Sequence, residues 1–371
     1  MLLVKPFLGC NIKCSYCYEK QCRSRHRAAA KYDLAAVFKK MDEFKNLAMA
    51  LHGGESLCMP KNDVEAILSK MHALTGQSTI QTNGTLIDGE FVEMFRKYKT
   101  SVGISWDGPE RLSDYRPGTS KVGMVIDRLA KDGLQVSLIT VISKANAGTP
   151  ARLAALKRYL LHLKKLGISG RMNPCTAAGN CELPEEKLKQ AYLDLAAFCL
   201  HNDLQWSPFT DIVNGLQGKP RVCSFSSCDI FSTDSAHVLL GDGSVSNCMR
   251  TNHAFILLRD PAIYKTREHI LKETSQGHGG CAGCQYFTAC YGGCPASGIA
   301  GDWRNRTCLC PLWKELFGFY EKILNFCGVP ILSPAEPVKT TAGCVNDQHA
   351  DSPHIDVHGD SGGGFQSRNK A

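Results

Sequence analysis

The 371-residue sequence lacks three features that would indicate a membrane, a secretory route or a nucleic-acid partner. No apolar stretch approaches the roughly 18 residues that a membrane helix needs. The segment before Cys10 is too short for a secretory signal. The formal net charge is +8, but the basic residues form no concentrated run. These absences predict a cytoplasmic protein with neither a membrane nor a nucleic-acid partner.

Cysteine is the residue type in excess. The chain has 19 cysteines, whereas 43% hydrophobic and 21% charged residues are ordinary for a protein with a normal core. Because reducing compartments disfavour disulfides, clustered cysteines in a cytoplasmic chain indicate metal binding. Disulfide pairing among an odd number of thiols is the less favoured alternative.

The first half of the chain alternates between short apolar segments and amphipathic helices. Apolar or alternating segments bounded by Gly, Asn or Asp indicate strands, and helices with 3.6-residue periodicity separate them. The predicted strands cover residues 2–7, 47–51, 78–82, 101–106, 134–142 and 167–173. Six such units predict an α/β fold with a parallel sheet wrapped by helices. Sites in such sheets lie at the carboxyl ends of strands, where Cys10 follows the first one.

The composition changes after this array. A helix predicted over about 184–201 precedes a stretch, 223–310, that is rich in Cys and Gly and poor in long periodic segments. Such a stretch cannot easily build a hydrophobic core, so bound metal would supply its folding free energy. A closing helix is predicted over about 311–326, and the polar chain from about 333 onward is predicted to be disordered.

Three cysteines near the N-terminus, Cys10, Cys14 and Cys17, have the spacing C-x3-C-x2-C. Three thiolates can hold three irons of a [4Fe–4S] cube, which normally takes four cysteines, so the fourth iron stays open to a ligand. This trio resembles the signature of the radical S-adenosylmethionine (SAM) enzymes. The resemblance implies that the open iron chelates SAM, whose reductive cleavage gives a 5′-deoxyadenosyl radical. A zinc knuckle or three unrelated thiols is the alternative.

Other segments at the predicted strand ends resemble the SAM pocket of the same family. Gly53-Gly54-Glu55 resembles the motif whose backbone holds the SAM amino group, although Ser56 follows where the family usually has Pro. Arg116 resembles the arginine that meets the SAM carboxylate, and its fork suits that task. The implied cofactor-binding residues are Tyr16, Gly53, Gly54, Glu55, Thr82, Asn83, Ser105 and Arg116. Asp107 is predicted to be catalytic, by orienting the substrate or accepting a proton, and turn capping is its alternative.

A second cysteine group resembles the SPASM domain, a C-terminal extension of peptide- and protein-modifying radical SAM enzymes that carries two auxiliary [4Fe–4S] clusters. The resemblance assigns Cys223, Cys228, Cys248 and Cys294 to the first cluster, and Cys281, Cys284, Cys290 and Cys310 to the second. Cys310 is preferred to Cys308 because Trp313-Lys314 after it resembles the family's Cys-x2-aromatic-Lys pattern. A zinc ribbon is the alternative for Cys281–Cys294. The implied cofactors are therefore SAM and three [4Fe–4S] clusters.

The resemblance covers roughly residues 1–326 and implies an architecture. Residues 1–183 would form a partial (βα)6 TIM-like radical SAM barrel, and 184–222 a helical linker region. Residues 223–332 would form the SPASM domain with its closing helix, and 333–371 a disordered tail rich in His, Asp and Gly. Among the thiols without an assigned role, Cys175 and Cys181 fall nearest the expected rim of the cavity.

The resemblance predicts hydrogen-atom abstraction from a peptide side chain, and the two extra clusters suggest a net two-electron oxidation. Anaerobic sulfatase-maturating enzymes share the QTNGT and Asp-Gly-Pro stretches, but they carry an Asp where this chain has Met249. We therefore predict maturation of a ribosomally made peptide, with an intramolecular crosslink such as a cyclophane as the product. Formylglycine formation of the sulfatase-maturase type is one alternative. A non-catalytic iron–sulfur electron carrier is the other.

The expected partners are a peptide substrate with a leader and an external one-electron reductant such as flavodoxin or ferredoxin. No domain precedes Cys10 in this sequence, so we expect leader recognition by the barrel, the SPASM region or a separate protein. An electron carrier needs no SAM pocket, and Gly53–Glu55 therefore argue against that alternative.

Overall fold

A computed structural model describes residues 1–19, 31–176, 180–219, 236–248, 250–251 and 261–332, with only the backbone described at 261–265. The chain divides into two compact units, Met1–Pro337 and Val338–Ala371. All described residues belong to the first unit. The predicted tail over 333–371 therefore lies outside the described residues.

A nine-stranded sheet organises the first unit. The strands are β1 (Leu2–Lys5), β2 (Met49–Leu51), β3 (Ser78–Thr82), β4 (Thr100–Ser105), β5 (Val136–Ile142), β6 (Ser169–Pro174), β7 (Trp206–Ser207), β8 (His237–Leu240) and β9 (Val245–Ser246). Their order across the sheet is β7-β6-β5-β4-β3-β2-β1-β8-β9. Neighbouring strands are parallel except for the antiparallel pair β8 and β9. The carboxyl ends of β1 to β6 therefore meet along one edge.

Helices connect and cover these strands. They are α1 (Leu34–Glu43), α2 (Lys61–Thr75), α3 (Gly89–Lys97), α4 (Val122–Lys131), α5 (Lys144–Ala147), α6 (Pro150–Lys165), α7 (Glu185–His201), α8 (Phe209–Leu216), α9 (Pro261–Glu273), α10 (Phe287–Cys290) and α11 (Cys310–Phe326). Short 3-10 helices cover Ser56–Cys58, Glu110–Ser113, Gln276–His278, Pro295–Ser297 and Ile299–Gly301. None of the described helices has both the length and the apolar character needed to cross a bilayer.

Local sequence explains where several helices begin. The Asp33 carboxylate accepts hydrogen bonds from backbone N–H groups of the first turn of α1, and Asp88 accepts one from Phe91 in α3. Thr149 caps α6 in the same way, and Pro150 occupies the first position. These side chains satisfy backbone donors that have no partner inside the helix, and proline loses no hydrogen bond there.

The main hydrophobic core lies between the sheet and its helices and also includes α11. On α11, Trp313 packs edge-on against Tyr192 of α7, with ring centroids 6.1 Å apart. Tyr320 lies 6.4 Å from Phe209 of α8. Aromatic burial of this kind contributes much of a core's stability. The closing helix is therefore part of the same core as the sheet.

The predicted parallel α/β fold is confirmed, and the six predicted strands match β1 to β6 within two residues at each end. Two predictions about the second half need correction. The segment 184–222 also contributes β7 to the sheet, and the stretch described as poor in long periodic segments contains the 13-residue helix α9. β8 and β9, which were not predicted, extend the sheet on the other side of β1.

Candidate functional site

The loop after β1 carries Cys10, Cys14 and Cys17 at the carboxyl edge of the sheet. The Ser15 N–H donates to the Tyr115 carbonyl at 3.0 Å, which ties this loop to the segment after β4. Burial and the neighbouring thiols of Cys17 and Cys10 together raise the pKa of the Cys14 thiol to about 11, and Arg116 opposes this rise. The three predicted thiols therefore interact electrostatically.

The backbone of Gly53 and Gly54 packs closely against the start of this loop. A Cβ atom on Gly54 would lie 2.3 Å from the Gly9 carbonyl oxygen, and one on Gly53 would lie 2.5 Å from the Phe7 carbonyl oxygen. The Gly54 N–H donates to Phe7 at 3.1 Å, and the Glu55 N–H donates to Gly9 at 2.7 Å. Only glycine allows this approach of two backbones. The motif therefore positions the chain that leads into Cys10.

The Glu55 carboxylate joins the ends of β2 and β3. It accepts hydrogen bonds from Thr82 Oγ1 at 2.7 Å, from the Asn83 N–H at 2.6 Å and from the Leu57 N–H at 3.1 Å. Burial raises the pKa of Glu55, and these three donors oppose that rise. The predicted Gly53–Glu55 motif and the predicted residues Thr82 and Asn83 thus form one hydrogen-bonded unit.

The Asn83 side chain contacts the cysteine loop directly. Its Nδ2 donates to Asn11 Oδ1 at 2.9 Å and lies 3.9 Å from Cys10 Sγ. Its Oδ1 accepts from the Thr85 N–H at 2.9 Å, and Asn11 in turn donates to Thr85 Oγ1 at 2.9 Å. Asn11 and Thr85 were not predicted as site residues. Asn11 directly follows Cys10, and Thr85 lies two positions after Asn83.

Ser105 lies at the end of β4, as predicted. Its Oγ accepts a hydrogen bond at 2.9 Å from Nε2 of Gln81 on β3. The Gln81 side chain passes over Gly103, where a Cβ would come within 2.4 Å of its Oε1. The polar groups of β3 and β4 are thus linked across the strand ends.

Asp107, Tyr16 and Arg116 form a buried polar cluster beside the cysteine loop. Asp107 is 1% exposed; its Oδ2 accepts a hydrogen bond from Tyr16 Oη and lies 3.5 Å from Arg116 Nε. Its Oδ1 accepts from the Val141 N–H at 2.8 Å. The Arg116 guanidinium carbon lies 5.5 Å from the centre of the Tyr16 ring. Because both carboxylate oxygens have partners, this geometry favours a positioning role for Asp107 over proton acceptance.

The charges in this cluster alter one another's ionisation. Burial opposes the charge on Arg116, but Asp107, Tyr16 and Cys14 raise the arginine's pKa above its ordinary value. Burial and the Asp107 carboxylate raise the pKa of Tyr16. Arg116 is therefore a cation and Tyr16 a neutral hydrogen-bond donor at physiological pH.

The sequence did not predict a buried ion pair between β1 and the segment after the cysteine loop. Lys5 Nζ lies 2.7 Å from Glu19 Oε1, and the two side chains are 0% and 5% exposed. Burial lowers the pKa of the nearby His52, and Glu19 raises it. Lys5 lies on the face of β1 opposite the core residues Leu2 and Val4, so the period of the strand gave no sign that its charge is buried.

Four predicted thiols line one cavity: Cys281, Cys284, Cys290 and Cys310. Trp313 and Lys314, one turn further along α11 from Cys310, line the same cavity. Burial, Cys284 and Cys310 raise the pKa of Cys281 to about 12, while Arg306 and Arg267 oppose them. Neutral thiols would have to lose protons to bind metal, and added positive charge would drive that loss.

Cys310 lines this cavity, whereas Cys308, the alternative fourth ligand, is not among its lining residues. The charged neighbours of Cys310 are Lys314, Arg306 and Cys284, whereas those of Cys308 are Arg250, Glu182 and Cys294. Cys308 therefore lies on the side of Cys294. This placement favours Cys310 as the fourth thiol of the cavity.

The number of thiols around the cavity equals the number that a [4Fe–4S] cube takes. Among the residues that the structure describes, no three His, Cys, Asp or Glu side chains come together closely enough to hold one metal ion. A zinc ion would bring its thiolates within ~2.3 Å of the metal, whereas a [4Fe–4S] cube binds one thiolate at each corner. The assignment of these four thiols to a cluster rather than to zinc remains a prediction.

Arg267 on α9 organises the loops around this cavity. Its guanidinium donates to the carbonyl oxygens of Trp303 at 2.7 Å and Tyr291 at 3.0 Å. It also donates to Gly293 at 3.4 Å and Asn305 at 3.3 Å. The side chain is 2% exposed. One buried arginine thus satisfies carbonyl groups in a segment that has few apolar residues to pack.

The other predicted auxiliary site is described only in part. Cys248 Sγ lies 3.0 Å from Thr251 Oγ1, and Cys294 is buried. Cys223, Cys228 and Met249 lie outside the described residues. Their assignment remains a prediction.

Parts of this chain are similar in sequence to known proteins. A family profile described as the radical SAM superfamily matches residues 4–156. A serine-type anaerobic sulfatase-maturating enzyme of Bacteroides thetaiotaomicron is 32% identical, but over only 40% of this chain and 41% of its own length. A cysteine-type anaerobic sulfatase-maturating enzyme of Clostridium perfringens is 25% identical over 79% of this chain and 88% of its own.

Solved structures show the same fold. Native anSMEcpe with bound AdoMet and Cp18Cys peptide superposes with a TM-score of 0.66 at 20% identity, covering 88% of this chain and 98% of its own. Streptococcus suis SuiB bound to precursor peptide SuiA gives a TM-score of 0.58 at 15% identity, covering 83% and 75%. The cysteine trio lies within the matched profile region and at the expected edge of the sheet. Residues 4–156 of this chain therefore form a radical SAM domain.

Proposed function

We propose that this chain is a radical SAM enzyme that oxidises a side chain of a ribosomally made peptide by two electrons and forms an intramolecular crosslink. The observation that carries this proposal is the cysteine loop after β1. It is held by Gly53–Glu55 on one side and lies beside the Tyr16–Asp107–Arg116 cluster on the other. A three-thiol loop with a charged arginine beside it suits a cluster whose ligand carries a carboxylate.

The residues of this site have distinct proposed tasks. Cys10, Cys14 and Cys17 would hold a [4Fe–4S] cluster, and bound SAM would supply the hydrogen-abstracting chemistry. Arg116 would bind the SAM carboxylate while Asp107 and Tyr16 fix the guanidinium's position. Glu55, through Thr82 and Asn83, would keep the pocket's two strand ends in register.

The four-thiol cavity supports the oxidative part of the proposal. Four cysteines can satisfy all four irons of a cluster and leave no site for a substrate, so such a cluster is suited to electron transfer. The cavity and the sheet also belong to one compact unit. We assign Cys281, Cys284, Cys290 and Cys310 to an electron-accepting auxiliary cluster of a SPASM domain.

The peptide class of the substrate is supported by the relatives. Sulfatase-maturating enzymes match most of this chain, and two of the structures with the same fold contain a bound peptide. Formylglycine formation is therefore a second candidate function. Met249 stands where those enzymes carry an Asp, and this difference disfavours formylglycine formation.

Co-expression tests the two candidates. The chain is produced with short reading frames that neighbour its gene, and each peptide is examined by mass spectrometry with fragmentation. We expect the peptide to lose two hydrogens. We also expect no fragment ions from cleavage of the backbone between the two crosslinked residues. An aldehyde-reactive hydrazide then discriminates the products, since formylglycine reacts and a crosslink does not.

The Cp18Cys peptide serves as the matched substrate for the alternative. Hydrazide labelling of Cp18Cys after anaerobic incubation with reconstituted enzyme, SAM and dithionite would favour formylglycine formation. If the chain is instead a non-catalytic electron carrier, incubation with dithionite and SAM should give no 5′-deoxyadenosine with any peptide.

A further inference from the structure

Two thiols that the proposed function does not use lie in contact beside the cysteine loop. Cys175, which follows β6, and Cys181 place their Sγ atoms 3.4 Å apart. Their side chains are 6% and 2% exposed. We propose that Cys175 and Cys181 are a redox-active pair that closes reversibly to a disulfide in the wall of the site.

Backbone hydrogen bonds fix both cysteines at one junction. The Cys175 N–H donates to the Ile142 carbonyl at 3.0 Å, and the Lys144 N–H donates to the Cys181 carbonyl at 2.9 Å. β5 ends at Ile142 and α5 begins at Lys144, so neighbouring residues hold the two thiols from both sides. A disulfide is about 2.05 Å long, so the sulfurs need to approach by only about 1.4 Å.

The pair is also connected to the radical site. Cys175 and Cys181 share a small cluster with the Tyr16 ring, and Cys14 packs against it. The Tyr115 hydroxyl donates to the Asn180 carbonyl at 3.2 Å, next to Cys181, and the Tyr115 carbonyl accepts from Ser15 in the cysteine loop. Closing the disulfide would therefore change the surface against which Tyr16 and the loop pack. This inference depends on the thiol geometry and not on the proposed reaction.

The chemistry of closure is simple to balance with a small two-electron oxidant. One thiolate adds to the N=N bond of diamide, and the second thiolate then displaces the resulting hydrazine from the first sulfur. The two thiols lose two hydrogens, an S–S bond forms, and diamide takes up both hydrogens. Dithiothreitol reverses the change by thiol–disulfide exchange. Two buried thiols that merely fill space would not react in this way.

The sequence makes the product easy to read. Trypsin cleaves after Arg171 and after Lys187, so both cysteines fall in the single peptide Met172–Lys187. The full-length protein with its reconstituted clusters is treated anaerobically with diamide, quenched in acid, alkylated with N-ethylmaleimide and digested. We expect the peptide to be lighter by two hydrogens with neither cysteine alkylated, and dithiothreitol to restore two alkylated cysteines.

Two other cysteines calibrate the treatment. Cys327 is exposed and reports that diamide has reacted with accessible thiols, whereas Cys199 is buried in α7 and should remain alkylatable after unfolding. The Cys181→Ala variant should leave Cys175 without an internal disulfide. The proposal is wrong if both cysteines of the wild-type peptide are alkylated while Cys327 has reacted. Disulfides from Cys175 or Cys181 to any other cysteine would also overturn it.

Discussion

Single residues in this site act mainly by neutralising buried charge. Asp107 faces Arg116, and Glu19 faces Lys5, all nearly inaccessible to water. A charge left alone in such surroundings costs several kcal/mol, so removal of one partner is more harmful than replacement of both. The buried pairs hold the strand ends and the cysteine loop in a fixed relation.

The Asp107→Asn variant tests the positioning role of that carboxylate. Asparagine can still accept from Val141, but it leaves the Arg116 charge unpaired, so we expect the free energy of unfolding to fall by roughly 3–5 kcal/mol. Denaturant titration measures the change. The matched control is Asp114→Asn, because Asp114 is 47% exposed and lies 3.7 Å from Arg152, a pair worth about 1 kcal/mol or less. If Asp107 were instead a proton acceptor, peptide modification would stop while the stability stayed unchanged.

The pH dependence of stability offers a second test at this scale. Burial raises the pKa of Cys199 from 9.0 to about 12, so the folded protein favours the neutral thiol. The thiol's contribution to the free energy of unfolding is fully present below pH 9, where the thiol is neutral in both states. It is lost as the pH rises toward 12, because the unfolded chain releases the proton first, with a slope of about 1.4 kcal/mol per pH unit. The Cys199→Ala variant should show a shallower decline over that window. Identical slopes in the two proteins would mean that the thiol ionises freely when folded.

At the scale of elements, the close approach of two loops determines where the trio lies. The turn after β2 and the loop after β1 share two backbone hydrogen bonds and leave no room for a side chain at Gly54. Motif and cysteine loop therefore form one structural element, although more than 40 residues separate Gly9 from Gly54 in sequence.

Gly54→Ala should displace the cysteine loop. Its Cβ would lie 2.3 Å from a carbonyl oxygen, which the backbone can relieve only by moving. We expect less iron at the first cluster after anaerobic reconstitution and at least a tenfold lower yield of 5′-deoxyadenosine, about 1.4 kcal/mol or more. Gly89→Ala is the matched control, since a Cβ at Gly89 meets nothing within 4 Å. Equal iron content in both variants would contradict the proposed contact.

Local patterns predicted the elements that have strong local causes. β1 to β6 are apolar or alternating segments separated by helices of 3.6-residue periodicity, so these periods and the residues that bound the segments were enough to find them. β7 and β9 have two residues each, and such strands exist only through pairing with a neighbour that the sequence does not reveal. The motif residues were correctly expected at strand ends, but Lys5–Glu19 and Arg267 act through contacts between distant segments. Pairing partners of that kind cannot be found from local periodicity.

At the scale of the whole molecule, the described sheet, the cysteine loop and the four-thiol cavity belong to a single compact unit. β8 comes from the cysteine-rich half and pairs with β1, and α11 begins at a cavity cysteine and ends in the main core. The clusters that we propose would then be held in fixed positions, which suits electron transfer between them. The domain boundaries at residues 183, 222 and 332 remain predictions.

Cys310→Ser and Cys308→Ser together test the assignment of the cavity. We expect Cys310→Ser to lose about one cluster's iron, roughly four atoms, because the cavity keeps only three thiols. Cys308→Ser should leave this cavity's cluster intact, since its thiol lies toward Cys294. Iron analysis and Mössbauer spectra of the reconstituted proteins measure both. Loss of the cavity cluster in Cys308→Ser alone would reverse the assignment.

Simultaneous replacement of Cys10, Cys14 and Cys17 by alanine tests the central proposal most directly. The protein is reconstituted anaerobically with iron and sulfide, and 5′-deoxyadenosine is measured after addition of SAM and dithionite, with Cys327→Ala as the control. We predict that the triple variant forms no 5′-deoxyadenosine above the enzyme-free background while the auxiliary iron remains and Cys327→Ala matches the wild type. Undiminished 5′-deoxyadenosine from the triple variant would contradict a SAM-binding cluster on the loop after β1.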